Sequence, residues 1–221
     1  MKNWKEGEYR YVPVAENIMI AEGAYLLRFA RDFEFTAGQV IALGVEEEIA
    51  PRFYSIASGE KDEWVEILYT EKSDGELTPH LSPLKAGDQL MLSEPFGQFT
   101  ADTPSAVYVA AGTGIAPFMS RFRSGKALDA TLIHGASYPE YFYFAEELEK
   151  LLGRKYIPCC SRCADETYFN GRVTRFLEIW NKTSKGKKYY LCGSAEMVVD
   201  TRDVLIAHGV QFDAIEAEIF F

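Results

Sequence analysis

Near residue 100 the spacing of apolar residues changes period, and this change limits the possible folds more than any other feature of the chain. Before it, apolar residues come in short alternating runs: YRYVPVAENIMI, AYLLRFA, VIALGV, RFYSIAS, WVEILYT and DQLMLSEP, separated by turn-prone AEG, TAGQ and KAGD. Alternation with a period of two sends successive side chains to opposite faces, the pattern of a strand. Six short strands at close spacing predict a small antiparallel barrel or sandwich. After Pro104 the apolar strands AVYVAAG, ATLIHGAS, RKYIPCCS and KKYYLCGS alternate with or precede the helical stretches EYFYFAEELEKLL, GRVTRFLEIW and AEMVVDTRDVLIAHG. Strands alternating with helices predict a parallel sheet with helices on its faces. The expected organisation is a β domain over residues 1–102 and an α/β domain over 103–221, with the boundary in FTADTP. At 221 residues, 48% of them hydrophobic, the chain is long enough for two cores. It has no internal repeat or low-complexity tract.

Charge and cysteine usage exclude several classes of function. With 23 basic against 33 acidic residues the net charge is −10, which argues against nucleic acid or an anionic membrane bound through bulk charge. The opening MKNWKEGEYRYVPV lacks an apolar core, so neither a signal peptide nor an anchor is expected. No run approaches the roughly 18 apolar residues of a membrane span. Three of the four cysteines crowd into CCSRC at 159–163, a spacing that predicts no disulfide framework and fits a reducing cytoplasm.

Several short stretches carry side chains suited to a flat, anionic ligand. In PRFYSIASG, Arg52 offers a bidentate fork for phosphate, Tyr54 a ring and a phenol, and Ser55 a hydroxyl. In AAGTGIAPF, Gly112, Thr113 and Gly114 lie between a strand and a helix, where backbone N–H groups can face a phosphate. The full G-x-G-x-x-G spacing is lacking, and glycines at such a turn also serve chain geometry. Ser161, Arg162 and Arg172 cluster beyond a strand end, which suits a phosphate monoester, although solvated loop arginines have the same sequence signature. Cys192, at the end of KKYYLCGS, is either a nucleophile or a small apolar strand residue. Cys160 and Cys163 form a C-x-x-C, which can bind metal or cycle as a dithiol, without the second pair that structural zinc requires. Tyr141, Phe144, Leu148 and Leu152, at helical spacing, are expected to form a packed face, and His80, His134 and His208 to be structural.

Taken in order, RFYS, DGELTPHLSPLKAGD, AAGTGIAPF, SRCADETYFNGRV, LCGSAEMVVDTRDVL and the terminal AEIFF resemble the ferredoxin–NADP reductase family, and most of all its bacterial ferredoxin (flavodoxin) reductases. The match runs from about residue 10 to the end of the chain. It implies a flavin-binding antiparallel β-barrel followed by a five-stranded parallel sheet that binds NADP. In the barrel, the resemblance assigns Arg52 to the FAD phosphate, Phe53 and Tyr54 to the flavin region, and Ser55 to the neighbourhood of flavin N5. Leu68, Tyr69 and Thr70 would line the flavin or its adenosine side, and Gly75, Glu76, Leu77 and Thr78 would meet the pyrophosphate. Phe220 would stack on the isoalloxazine and Phe221 lie toward the adenine, where the family usually has tyrosine and tryptophan; stacking survives that change, a hydroxyl hydrogen bond does not. Thr113 would touch both cofactors. Gly112, Gly114, Cys192 and Gly193 would contact NADP, and Ser161, Arg162 and Arg172 its 2′-phosphate. Ser137 stands where bacterial members often carry an arginine, so weaker discrimination against NADH is expected.

The activity implied by the resemblance is transfer of hydride between NADP(H) and FAD and of single electrons between the flavin and ferredoxin or flavodoxin. Ser55, Cys192, Glu218 and Phe220 would surround the reacting rings and orient them without covalent intermediates. Lys182, Lys185, Lys187 and Lys188, or Arg28, Arg31 and Arg52 on the barrel, are candidate patches for an acidic carrier. A monomer or weak dimer is expected, with no metal. Alternative functions are a free-flavin or quinone reductase, the electron-input subunit of an oxygenase or haem system, and a non-catalytic flavin-binding redox sensor.

Overall fold

All six alternating runs of the first half form strands. They are β1 (Arg10–Ala21), β2 (Ala24–Ala30), β3 (Val40–Gly44), β4 (Arg52–Ser55), β5 (Trp64–Thr70) and, after a one-turn helix α1 (Thr78–Leu81), β6 (Gln89–Leu92). The computed structural model describes residues 9–100, 103–180 and 186–220. The chain divides after Thr100 into two compact units.

In the first unit the strand order is β4-β3-β6-β1-β2-β5, every pairing antiparallel. The sheet curls until its ends meet: Ile56 bridges Ile67, and the Ala57 N–H donates to the Glu66 carbonyl at 2.8 Å. Closure leaves no long open edge. The inward faces seal Leu27, Phe29, Ile41, Leu43, Ile67, Leu90 and Leu92 in one core. Each such side chain contributes about 1.5–3 kcal/mol relative to exposure. The Asn17 amide on β1 donates to the carbonyls of Leu81 at 2.9 Å and Ser82 at 3.3 Å, tying the α1 segment to the barrel.

The second unit alternates as its pattern requires: β7 (Val107–Ala111), α2 (Ala116–Arg123), β8 (Thr131–Ala136), α3 (Ala145–Leu152), β9 (Tyr156–Cys160), β10 (Phe169–Asn170), α4 (Val173–Ile179), β11 (Tyr189–Ser194), α5 (Ala195–Ala207) and β12 (Ile215–Phe220). The sheet order is β10-β9-β8-β7-β11-β12, all parallel. Five strands match the expected five. The sixth, β10, is a two-residue edge pairing with Cys159 and Cys160, too short to show any periodicity. Val107, Val109, Ile133, Leu191, Leu177 and Leu205 fill the core beneath the helices.

Two expectations need correction. The stretch from Tyr141 to Leu152 is not one helical face: Phe144 adopts φ 62° and α3 begins only at Ala145. Leu148 and Leu152 are buried as packed residues, but Tyr141 lies in a separate 3-10 turn. The crowded cysteines predict no disulfide framework, yet Cys160 and Cys163, the C-x-x-C left open to dithiol chemistry, form a disulfide, because the turn at the end of β9 brings their Cα atoms to 5.5 Å, within bonding range. Cys159 and Cys192 are free and buried. His134 is a core residue, with Nδ1 3.1 Å from the Tyr156 hydroxyl. Burial lowers its pKa to about 3, so it stays neutral.

Candidate functional site

In the second unit, strands β7, β8, β9 and β11 end on one side of the sheet around a cavity of about 520 Å³, within the size range of small-molecule sites. Open parallel sheets bind ligands at these carboxyl ends, where the strand order reverses; here the reversal falls between β7 and β11. The walls come from Ala111 and Gly112 after β7, Gly135 to Ser137 after β8, Ser161 and Arg162 after β9, Arg172 before α4, and Ser194, Glu196, Met197 and Asp200 at the start of α5.

The two arginines reach this cavity because two loops are stitched to the end of β9. The Ser161 and Arg162 N–H groups donate to the carbonyls of Ala136 and Ser137 at 2.9 and 3.1 Å. The Cys160–Cys163 bond closes the same turn. The Gly171 N–H donates to the Cys160 carbonyl at 2.9 Å, which sets Arg172 at the N-cap of α4; Gly171 has φ 150°, a conformation open to glycine. The Arg162 guanidinium lies 5.7 Å from the Tyr138 ring and donates to its hydroxyl at 3.4 Å. Arg172 Nη1 pairs with Glu196 Oε1 at 2.9 Å. Both pairs are exposed and exchange easily for a ligand anion.

Of the other residues expected at NADP, Ser137 and Gly112 line this cavity, whereas Thr113, Gly114, Cys192 and Gly193 do not. Gly114 has a steric role: a Cβ there would run into the backbone of Cys192 and lie 2.7 Å from the Gly193 nitrogen. Cys192 is fully buried, in register with Ala110 on β7 and Glu218 on β12. Burial, and next the Glu218 carboxylate, push its thiol well above the ordinary range. A buried thiol held protonated in this way fits the small apolar strand residue better than the nucleophile. Phe220 pairs with Ser194 at the end of β12. Phe221 lies outside the described residues.

The first unit gathers its candidate residues around β4 and the loop before α1. Arg52 Nη2 pairs with Glu76 Oε2 at 2.5 Å, both exposed. Phe53 points outward, 65% exposed, with its ring edge-on to Phe96 at 5.0 Å. Tyr54 is turned the other way, half-buried and edge-on to Tyr69 at 6.4 Å; burial pushes its phenol up to about 12. Ser55 is buried beside it. The side chains of Leu68, Tyr69 and Leu77 are buried in the unit. The Tyr69 hydroxyl donates to Asn17 Oδ1 at 3.1 Å, so at these three positions only backbone is offered to a ligand. The Thr78 hydroxyl accepts from the Lys72 N–H at 2.9 Å and, with Gly75 donating to the Lys72 carbonyl at 2.8 Å, shapes the 72–78 loop.

The profile of the oxidoreductase NAD-binding domain matches residues 108–203. A flavodoxin/ferredoxin–NADP reductase of Escherichia coli (strain K12) is 32% identical over 192 residues, 76% of this chain and 77% of that protein. The chain belongs to the flavodoxin/ferredoxin–NADP reductase family. It is an oxidoreductase on that ground. The fold agrees with a crystal structure of a ferredoxin NADP+ reductase from Neisseria gonorrhoeae with bound FAD and NADP: TM-score 0.88 at 24% identity, covering 98% of this chain and all of that one. A toluate 1,2-dioxygenase electron transfer component of Pseudomonas putida is 29% identical over 80% of this chain and 56% of that protein.

Within this family member, the structure adds residues to the site that sequence reasoning missed. Tyr141, expected on a helix face, and Tyr143, not singled out from the sequence, line the cavity, and burial pushes the Tyr143 phenol up to about 12. Glu196 and Asp200 line it as well; their four-residue spacing on α5 places them on one face, a signal present in SAEMVVD. The basic patches are largely committed. Arg28 pairs with Glu16 and Glu66, both at 2.7 Å, and Arg31 with Glu34 at 3.3 Å. Lys187 lies over the Trp180 ring at 5.8 Å, and Lys188 donates to the Asp213 carbonyl at 2.5 Å. Lys182 and Lys185 lie outside the described residues. Among the described residues no helix is long and apolar enough to cross a membrane, and no cluster of three or more histidine, cysteine or acidic side chains could hold a metal ion.

Proposed function

We propose that the chain is an FAD-dependent reductase that exchanges hydride with NADP(H) and single electrons with a small carrier of the ferredoxin or flavodoxin type. The observation that carries this reading is the meeting of Ser161, Arg162 and Arg172 on one cavity at the carboxyl edge of the parallel sheet. Two guanidinium forks and a hydroxyl suit the 2′-phosphate of NADP(H), and the cavity is large enough for its adenosine half. In this reading residues 1–102 bind FAD and 103–221 bind NADP(H).

The barrel residues fit a flat anionic cofactor: Arg52 is exposed and paired with an exposed carboxylate, and Phe53 and Phe96 present partly exposed rings. When bound, the flavin supplies the electron chemistry, joining two-electron hydride transfer to one-electron exchange. Arg52 releases Glu76 to hold phosphate, Tyr54 packs its ring along the cofactor, and Ser55 orients it by hydrogen bonding. Arg162 and Arg172 fix the far end of the nicotinamide nucleotide, so that binding energy there positions the reacting end. Cys192, buried in the sheet and kept as a thiol, acts as neither nucleophile nor base. In a reducing cytoplasm, the compartment proposed here, the Cys160–Cys163 pair would be held largely as two thiols.

Similarity to the toluate dioxygenase component favours a second reading, in which the acceptor is an oxygenase system. Anaerobic titration of the FAD-loaded chain tests both. Bleaching of the flavin absorbance by NADPH, and more slowly by NADH, is expected; subsequent reoxidation by ferredoxin or flavodoxin supports the first reading, and reoxidation only by an oxygenase partner the second. A flavin that NADPH leaves oxidised refutes both.

A further inference from the structure

We propose that Glu196 sets the cofactor preference of the cavity by competing with the 2′-phosphate of NADP(H) for Arg172. The inference rests on the NADP(H) reading of the cavity and adds to it a residue that acts against NADP(H). Glu196 stands in the first turn of α5, and its carboxylate accepts from Arg172 Nη1 at 2.9 Å. Asp200, one turn further along the same helix, lines the same cavity. Two carboxylates therefore border the place where the arginines would grip a dianion.

The side chains of Glu196 and Arg172 are 70% and 68% exposed, so the pair is washed by water and each member can turn to a ligand. A phosphate on Arg172 either displaces Glu196 from the guanidinium or shares the fork with it. Arginine has five donors and can serve both, but sharing places a dianion beside a carboxylate, and displacement gives up the ion pair. NADP(H) binds less tightly in either case than Arg162 and Arg172 alone would allow. A ribose that ends in a hydroxyl meets the opposite situation, because a carboxylate at this edge accepts its hydrogen bond. Glu196 therefore acts with opposite sign on the two nucleotides, against NADP(H) and in favour of NAD(H). A merely structural brace between α4 and α5 would weaken both alike when removed.

The test compares the FAD-loaded native chain with Glu196→Gln, and Arg172→Ala with the double variant Glu196→Gln/Arg172→Ala, using 2′-phospho-AMP and AMP as calorimetric probes. Glutamine keeps the length and an acceptor for Arg172 and removes only the charge. In Glu196→Gln, affinity for 2′-phospho-AMP is expected to rise by about threefold to fivefold, the size of one exposed charge interaction, while AMP binds no better. The kcat/KM ratio of NADPH to NADH should rise with it, and the gain should vanish between Arg172→Ala and the double variant. Binding of 2′-phospho-AMP that is unchanged or weaker in Glu196→Gln, a gain shared by AMP, or a gain that survives loss of Arg172 overturns the proposal. If neither the native chain nor Glu196→Gln binds 2′-phospho-AMP, the NADP(H) reading falls and the inference falls with it.

Discussion

Replacing Arg162 by alanine separates a phosphate-gripping residue from a solvated loop arginine. In the structure this guanidinium donates to the Tyr138 hydroxyl at 3.4 Å and sits 5.7 Å from that ring. An exposed contact of this kind contributes about 0.5–1 kcal/mol, and Arg162 belongs to neither hydrophobic core, so Arg162→Ala should leave the fold and its melting temperature nearly unchanged. Hydrogen bonds from a guanidinium to a phosphate contribute about 1.5–3 kcal/mol. At about 1.4 kcal/mol per factor of ten, the dissociation constants of NADPH and 2′-phospho-AMP should rise by about 10- to 100-fold, while those of NADH and AMP shift by less than about twofold. Calorimetry with the four nucleotides measures the pattern directly. Equal weakening of all four would show that Arg162 shapes the cavity without reading the 2′ position, and unchanged binding would remove it from the site.

Three further outcomes follow from buried groups. His134 binds a proton near pH 6.5 when unfolded and only near pH 3 when folded. The unfolded chain therefore holds more protons between those values, and stability falls as pH drops through that window; the loss is about 3 kcal/mol by pH 4.5, and denaturant melts of His134→Phe should lack this component of the pH slope. Gly114→Ala places a methyl group 2.7 Å from the Gly193 nitrogen and against the Cys192 backbone, so thermal unfolding should show the α/β unit destabilised by about 1–3 kcal/mol or more; an unchanged melt would refute the close approach. With Cys160 and Cys163 paired, air-oxidised protein unfolded without reductant should titrate as Cys159 and Cys192 alone, and reduction should expose all 4 thiols of the chain; four before reduction would refute the pairing.

Most of the fold was legible because alternation and strand–helix succession are local signals: all six barrel strands and four strands of the parallel sheet lie where those signals put them, and β12 lies in the terminal stretch carried by the resemblance. The misses have specific causes. A two-residue strand such as β10 has no period to detect, and α1 is a single turn whose place depends on Asn17, distant in sequence. Tyr141 shares helical phase with Leu148 and Leu152 on paper, but the positive φ of Phe144 breaks that phase, and nothing in an aromatic residue announces it. Arg162 and Arg172 stood out by residue type. The pairings of Arg172 with Glu196 and of Arg52 with Glu76 did not, since each joins residues separated by whole elements of structure. Glu196 and Asp200 share a helix face in the sequence, but acids at that spacing are ordinary on an exposed face, so nothing marked them as lining a cavity.

The most direct test of the central claim is a crystal structure of the FAD-loaded chain with 2′-phospho-AMP. The account predicts the 2′-phosphate within about 2.7–3.2 Å of donors on Ser161, Arg162 and Arg172, with the adenosine in the cavity beyond the ends of β7, β8 and β9. A nucleotide bound with its 2′-phosphate away from all three residues would contradict it.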